Sequence, residues 1–163
     1  MPERSTVRRA KQDLRRGRRA KAAAGEFVRE EVHHIREGKH GARSTKQAIA
    51  IGLSKARRAG VPLRPPRGGS ARTRRAAERD VAAGQNRGGR SPSPRRSRAT
   101  QSALRREPRS AASHRELASQ AHDVATRRGR RARSESARRA ARTKGPAGRK
   151  TAARKAAATR KRG

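Results

Sequence analysis

The chain has no cysteine, tryptophan or tyrosine, and Phe27 is its one aromatic residue. Without cysteine there is no disulfide framework, no thiolate zinc site and no cysteine nucleophile, so stability has to come from packing or from a partner. With one aromatic ring there is no platform on which unpaired bases stack, which argues against single-strand binders and sequence-reading RNA modules. Long apolar runs are missing as well. The longest, Ala48 to Leu53, is far short of a bilayer span, and no apolar stretch follows the basic residues near the amino terminus, as an export signal would require. A soluble intracellular protein is expected.

Acids are scarce: 12 Asp plus Glu stand against 48 Lys plus Arg, a net charge of +36 on 163 residues. A polycation of this density repels itself until a polyanion neutralises it, which makes DNA or RNA the default partner. Hydrophobic residues make up only 29% and do not fill a core of domain size. Low hydrophobicity with high net charge places most of the chain among sequences that do not offset their conformational entropy. The fifteen Val, Ile, Leu and Phe residues divide eleven to four between positions 1–63 and 64–163, while the net charge divides +11 to +25. The expected fold is therefore mostly disordered, with a small all-α region at 1–63 and a disordered basic tail at 64–163.

In the front region Val28, Val32 and Ile35 recur at i, i+4 and i+7 beside Phe27, which predicts an amphipathic helix over about 26–37. Glu26, Glu30 and Glu31 would lie in its first half, favourable to the helix dipole. Gly38 supplies a stop, and residues 38–43 read as a loop. Ser44 with Gln47 has capping-box spacing and opens a second helix over about 45–59, closed by Gly60 and Pro62. Ala48 to Ile51 also alternate as a strand would; the cap, the alanines and the Gly-x-Pro stop favour helix. Ile49, Leu53 and Ala56 share one face of it, whereas Ile51 faces nearly the opposite way, and Gly52 suits close approach of another backbone. Such a hairpin wants a third element. Either a preceding helix at about 5–16 or a second copy of the chain, as a homodimer, would supply it. A faint repeat at an offset of 21, Val7-Arg8 with Leu14 to Arg18 against Val28-Arg29 with Ile35 to Lys39, favours the preceding helix.

The segments Gly25 to Glu31, His34 to His40 and above all Ser44 to Ala56 resemble a family of small basic bacterial proteins of unknown function. The hallmark is a Lys-Gln-Ala-Ile-Ala-Ile-x-Leu-Ser run, here Lys46 to Ser54, after a basic glycine-containing loop. The resemblance covers roughly residues 5–63; it implies a bacterial source and carries no activity with it.

From Arg64 onward the composition turns to Arg, Ala, Ser, Gly and Pro, with Pro65-Pro66, Gly68-Gly69 and Gly88-Gly89 reading as linkers. Three stretches are expected to be transiently helical: 71–83, with Ser70 as cap and Gly84 as stop; 114–128, with Ser113 and Glu116 in capping-box spacing; and 132–142. Residues 149–162 resemble the Ala/Lys-rich tails of linker histones and bacterial histone-like proteins. The stretch from Ser91 to Arg98 reads as a basic linker rather than an Arg-Ser splicing tail.

Arginine outnumbers lysine 39 to 9. Guanidinium grips phosphate bidentately and enters narrow minor grooves, so backbone reading of duplex DNA is the expected function, in a histone-like, nucleoid-associated role. Candidate contacts in the ordered front are Lys39, Arg43, Lys46, Lys55, Arg57 and Arg58. In the tail they are Arg127, Arg128, Arg130 and Arg131, then Arg138 and Arg139, and finally Arg149, Lys150, Arg154, Lys155, Arg160, Lys161 and Arg162. Structured RNA is the alternative ligand, and a protein-interaction hairpin with an anchoring tail the alternative class. Membrane binding is disfavoured because no basic helix has a broad apolar face. No enzyme, small-molecule substrate or cofactor is expected. His33, His34 and His40 gather near Glu30, Glu31 and Glu37, but adjacent histidines point about 100° apart on a helix, so neither a metal nor an acid–base site is expected there.

Overall fold

The computed structural model describes residues 2–86 and 93–162, with side chains only as far as residue 160. The Gly88-Gly89 linker, Ser91-Pro92 and the side chains of Lys161 and Arg162 lie outside the described residues. Among those described there are seven α-helices and one 3-10 turn: α1 (Arg4–Arg15), α2 (Ala20–Arg36), α3 (Thr45–Arg58), α4 (Ala71–Gln85), α5 (Pro94–Arg105), the turn (Ser110–Ala112), α6 (His114–Arg127) and α7 (Gly129–Arg162). None of these helices is long and apolar enough to cross a membrane. Two compact units divide the chain, Met1–Ala118 and Ser119–Gly163. The expectation of a mostly disordered chain with a helical hairpin is overturned: the hairpin helices are two members of an all-helical assembly, and the tail is helical too.

The reason is a core made of alanine. Nine of the twelve buried apolar residues are alanines, and only Phe27, Ile35 and Val61 are larger. Counting Val, Ile, Leu and Phe along the chain misses such a core. Small side chains let helix backbones approach closely, so dispersion contacts accumulate without bulky residues. At Gly52 on α3, an added Cβ would stand 2.7 Å from the Cα of Val28 on α2. The close approach that Gly52 suggests is thus the α2–α3 crossing itself.

Phe27 is fully buried in one cluster with Ala10 of α1, Ala23 and Ala24 of α2, Ala56 of α3 and Val61, edged by Val7, Leu14 and Leu53. The expected preceding helix exists as α1 and packs on α2. Helix α2 begins at Ala20, six residues before the expected start, because Ala23 and Ala24 are buried core rather than linker. Glu26, Glu30 and Glu31 consequently sit in the middle of α2 and are buried, away from the helix N-terminus where the dipole would favour them.

The opposite side of α3 is covered from within the chain by α4. Ser70 caps α4 as expected, its Oγ accepting from Thr73 N at 3.2 Å. Gly84 does not stop the helix. It lies where a Cβ would collide with the Arg57 carbonyl oxygen, so it serves close packing of α4 on the end of α3. Asp80, buried on α4, accepts from Ser54 Oγ and from Arg58 Nε, each at 2.6 Å, and pins the two helices together.

Residues 104–112 close the first unit around the loop after α2. Gly41 N donates to Leu104 O at 2.8 Å and Ala42 N to Pro108 O at 3.0 Å. Arg36 Nε donates to Ala112 O and Thr45 Oγ1 to Ala111 O, while Ala111 and Ala112 join Ile35, Ala42 and Ala48 in a second buried cluster. Helix α5, which the Ser/Pro/Arg composition hides, leads into this clamp.

In the second unit, α7 is broken at Gly145, whose φ of 63° and ψ of 179° precede Pro146. Each arm is rich in Ala, Arg and Lys, the residues of best helix propensity, which is why helix forms where low complexity suggested coil. The expected helix at 132–142 lies inside the first arm.

Candidate nucleic-acid interface and a buried histidine–carboxylate cluster

The six candidate cations of the front region do not act as one surface. Lys55 turns inward, its Nζ 2.6 Å from Glu31 Oε2 and 3.8 Å from Glu30 Oε1. Arg57 is buried and directs Nε toward the Leu63 carbonyl. Arg58 is bound to Asp80, and Lys39 to Glu37 at 2.9 Å. The Glu37 hydrogen bond raises the Lys39 pKa, and the same contact lowers that of Glu37. Arg43 and Lys46 are exposed, and among the described residues neither has a carboxylate within ion-pair distance. Of the six, these two remain open to an outside anion.

In the second unit, by contrast, Arg127, Arg128, Arg130, Arg131, Arg138 and Arg139 are all exposed. So are Arg149, Lys150, Arg154, Lys155 and Arg160 on the second arm. Residues 129–162 hold 14 Lys or Arg and one acid, Glu135. The cations cover about two thirds of the circumference of each arm, and the remaining stripe carries only Gly, Ala, Ser and Thr, so neither arm has a face of large apolar side chains to bury.

Seven of the ten acids of the first unit are in ion pairs within it. Glu26 binds Arg9 and Arg29, each at 2.9 Å, bridging α1 to α2. Glu30 and Glu31 lie beneath Lys55, their side chains 2% and 0% exposed. Glu30 Oε2 accepts from the Glu3 backbone N–H, and the Glu3 carboxylate accepts from His34 Nε2 at 2.9 Å. That last bond, ahead of the smaller pull of Lys39, holds the Glu3 carboxyl below its ordinary value.

His40 joins this group through the end of α2. Gly38 adopts φ 77°, Gly38 N donates to Ile35 O and Lys39 N to His34 O, a Schellman cap that reverses the chain. His40 therefore returns beside His34, with ring centroids 6.3 Å apart. Glu31, His34 and His40 each offer a ligand atom, all within 4.8 Å of one another. Helical angles alone separate His33 from His34 correctly, since His33 points out to Glu37. They cannot foresee the return of His40 across the cap; the glycine at 38, six residues before Ser44, is the signal available in the sequence.

No protein-family model, curated protein or solved structure matches the chain.

Proposed function

We propose that the protein binds duplex nucleic acid, DNA in preference to RNA, through the phosphate backbone and without reading sequence. The observation that carries this reading is the division of charge between the two units: seven of the ten carboxylates of the first are in ion pairs there, whereas α7 offers 14 cations against one acid and has no Val, Ile, Leu or Phe. A strongly basic helix without large apolar side chains gains little from packing on protein and much from a polyanion. Burial of Phe27 removes the only Phe, Tyr or Trp ring on which a free base would stack. Each arm of α7 spans about 25 Å at 1.5 Å per residue, the reach of about seven base pairs. Crosslinking of neighbouring duplex segments by two such arms would compact DNA.

The test is binding of the full chain to a labelled duplex of mixed sequence across 50–200 mM salt, with ribosomal RNA as competitor. Six to ten phosphate contacts would reduce affinity by about 10³ to 10⁵ over that range. A flat salt response would remove phosphate binding, and displacement of DNA by RNA at equal phosphate concentration would replace DNA as the ligand.

A further inference from the structure

We propose that Glu31, His34 and His40 form a binding site for one divalent transition-metal ion of the Zn²⁺ class, which clasps the loop after α2 onto that helix. The ligand spacing comes from the backbone. Glu31 and His34 stand at i and i+3 on α2, hence on one face, and the Gly38 cap returns His40 to it. Glu31 Oε1 and His40 Nε2 are 3.3 Å apart. Tetrahedral ligands at Zn–N and Zn–O bonds of about 2.0–2.1 Å lie about 3.3–3.4 Å from each other, so this pair already has the spacing, and His34, within 4.8 Å of both, closes in on the ion by side-chain rotation.

Two features argue that this group receives a cation and is not merely packed polar surface. Glu31 has a fully buried side chain, yet its Oε1 has no hydrogen-bond partner, because the facing His40 nitrogen is not aligned to donate. A buried carboxylate oxygen in that condition costs free energy unless a positive charge satisfies it. Lys55 does not do so: its Nζ is committed to Oε2 at 2.6 Å, which leaves Oε1 free.

Each ligand also has the outer partner that metal ligands characteristically have. His40 Nδ1 lies 3.0 Å from the Gly41 carbonyl. A carbonyl only accepts, so Nδ1 carries the proton and the lone pair of neutral His40 sits on Nε2, toward Glu31. His34 Nε2 donates to the Glu3 carboxylate, which places its lone pair on Nδ1. Lys55 orients Glu31. Two imidazole nitrogens and one carboxylate oxygen suit Zn²⁺ and its neighbours rather than Mg²⁺ or Ca²⁺, and leave a coordination position for water.

The experiment uses the full chain, stripped with chelator and titrated calorimetrically with Zn²⁺ alone. One ion per chain is expected, with His40 Nε2 shifted in ¹⁵N NMR spectra as a coordinating nitrogen. Because Glu31 is fully buried and Glu31→Gln risks misfolding, the deciding variant is His40→Gln, checked by circular dichroism for wild-type helix content. It should weaken binding at least tenfold, while His33→Gln, outside the cluster, should leave it unchanged. Absence of saturable binding at one ion per chain would overturn the site, as would unaltered affinity in folded His40→Gln. Neither result depends on nucleic acid, so the site and the proposed function stand or fall separately.

Discussion

Lys55 reaches Glu31 and Glu30 rather than solvent, and its replacement separates two roles that composition alone merges. Lys55→Met would leave two buried carboxylates without their cation. The expected cost is about 3 kcal/mol, near the lower end for a broken buried pair because the Lys55 side chain is 23% exposed. Urea unfolding followed by circular dichroism would measure it, the chain having no tryptophan or tyrosine to report. The salt slope of DNA binding should not change. Unchanged stability with a slope reduced by about one would instead return Lys55 to the phosphate contacts. Glu3 and Glu37 give a prediction in pH. Their carboxyls are held below the ordinary 4.5 by hydrogen bonds from His34 and Lys39 respectively. Their contribution is complete above pH 4.5 and is lost as pH falls through the lowered folded values. Lys39, raised above 10.5, contributes fully below that value and loses its share as pH climbs through the raised one. The urea midpoint should therefore be level between these limits with respect to these groups and fall on both sides, with a shallower acid limb in Glu37→Gln.

Between elements, the tightest test is Gly52. Ala is the better helix former by about 1 kcal/mol, so an exposed Gly52→Ala would stabilise α3. Here the new Cβ would meet Val28 Cα at 2.7 Å and Val28 N at 3.0 Å, forcing α2 and α3 apart. A net loss of about 1–3 kcal/mol is expected, as for other overpacked interiors, and a neutral result would mean that the crossing is looser than described. The α3 helix was readable because its signals are local: Ser44 does accept from Gln47 N, and the helix does end just before Gly60. The start of α2 was not, since the pattern of large apolar residues begins only at Phe27, while the first turns are anchored by the buried alanines Ala23 and Ala24. Nor was the third element over Ile51. Its partner α4 carries Ala76 and Ala77, whose apolar area is too small to register in a hydrophobic pattern and counts only once packed. The histidine cluster was hidden for a related reason, being made by a cap geometry and not by helical spacing.

At the scale of the whole chain, net charge taken as one number conceals where cations are available. The first unit carries 32 bases and ten acids, the second 16 bases and two. Yet the first unit buries Arg57, turns Lys55 inward and pairs Arg9, Arg58 and Lys39, whereas the described cations of α7 all face solvent. Replacing Arg138, Arg139, Arg149, Lys150, Arg154 and Lys155 by Gln should reduce the slope of log K against log salt by up to about five, at roughly 0.9 for each phosphate that is no longer neutralised. Replacing Arg43 and Lys46 should reduce it by at most about two. Gln preserves helix propensity nearly as well as Arg or Lys, so circular dichroism of the six-fold variant should match the parent and assign the weaker binding to charge. A slope that survives the six-fold change would place the phosphate contacts on other cations, either the ten that the second unit retains or those of the first, among them Arg43 and Lys46 beside the loop after α2.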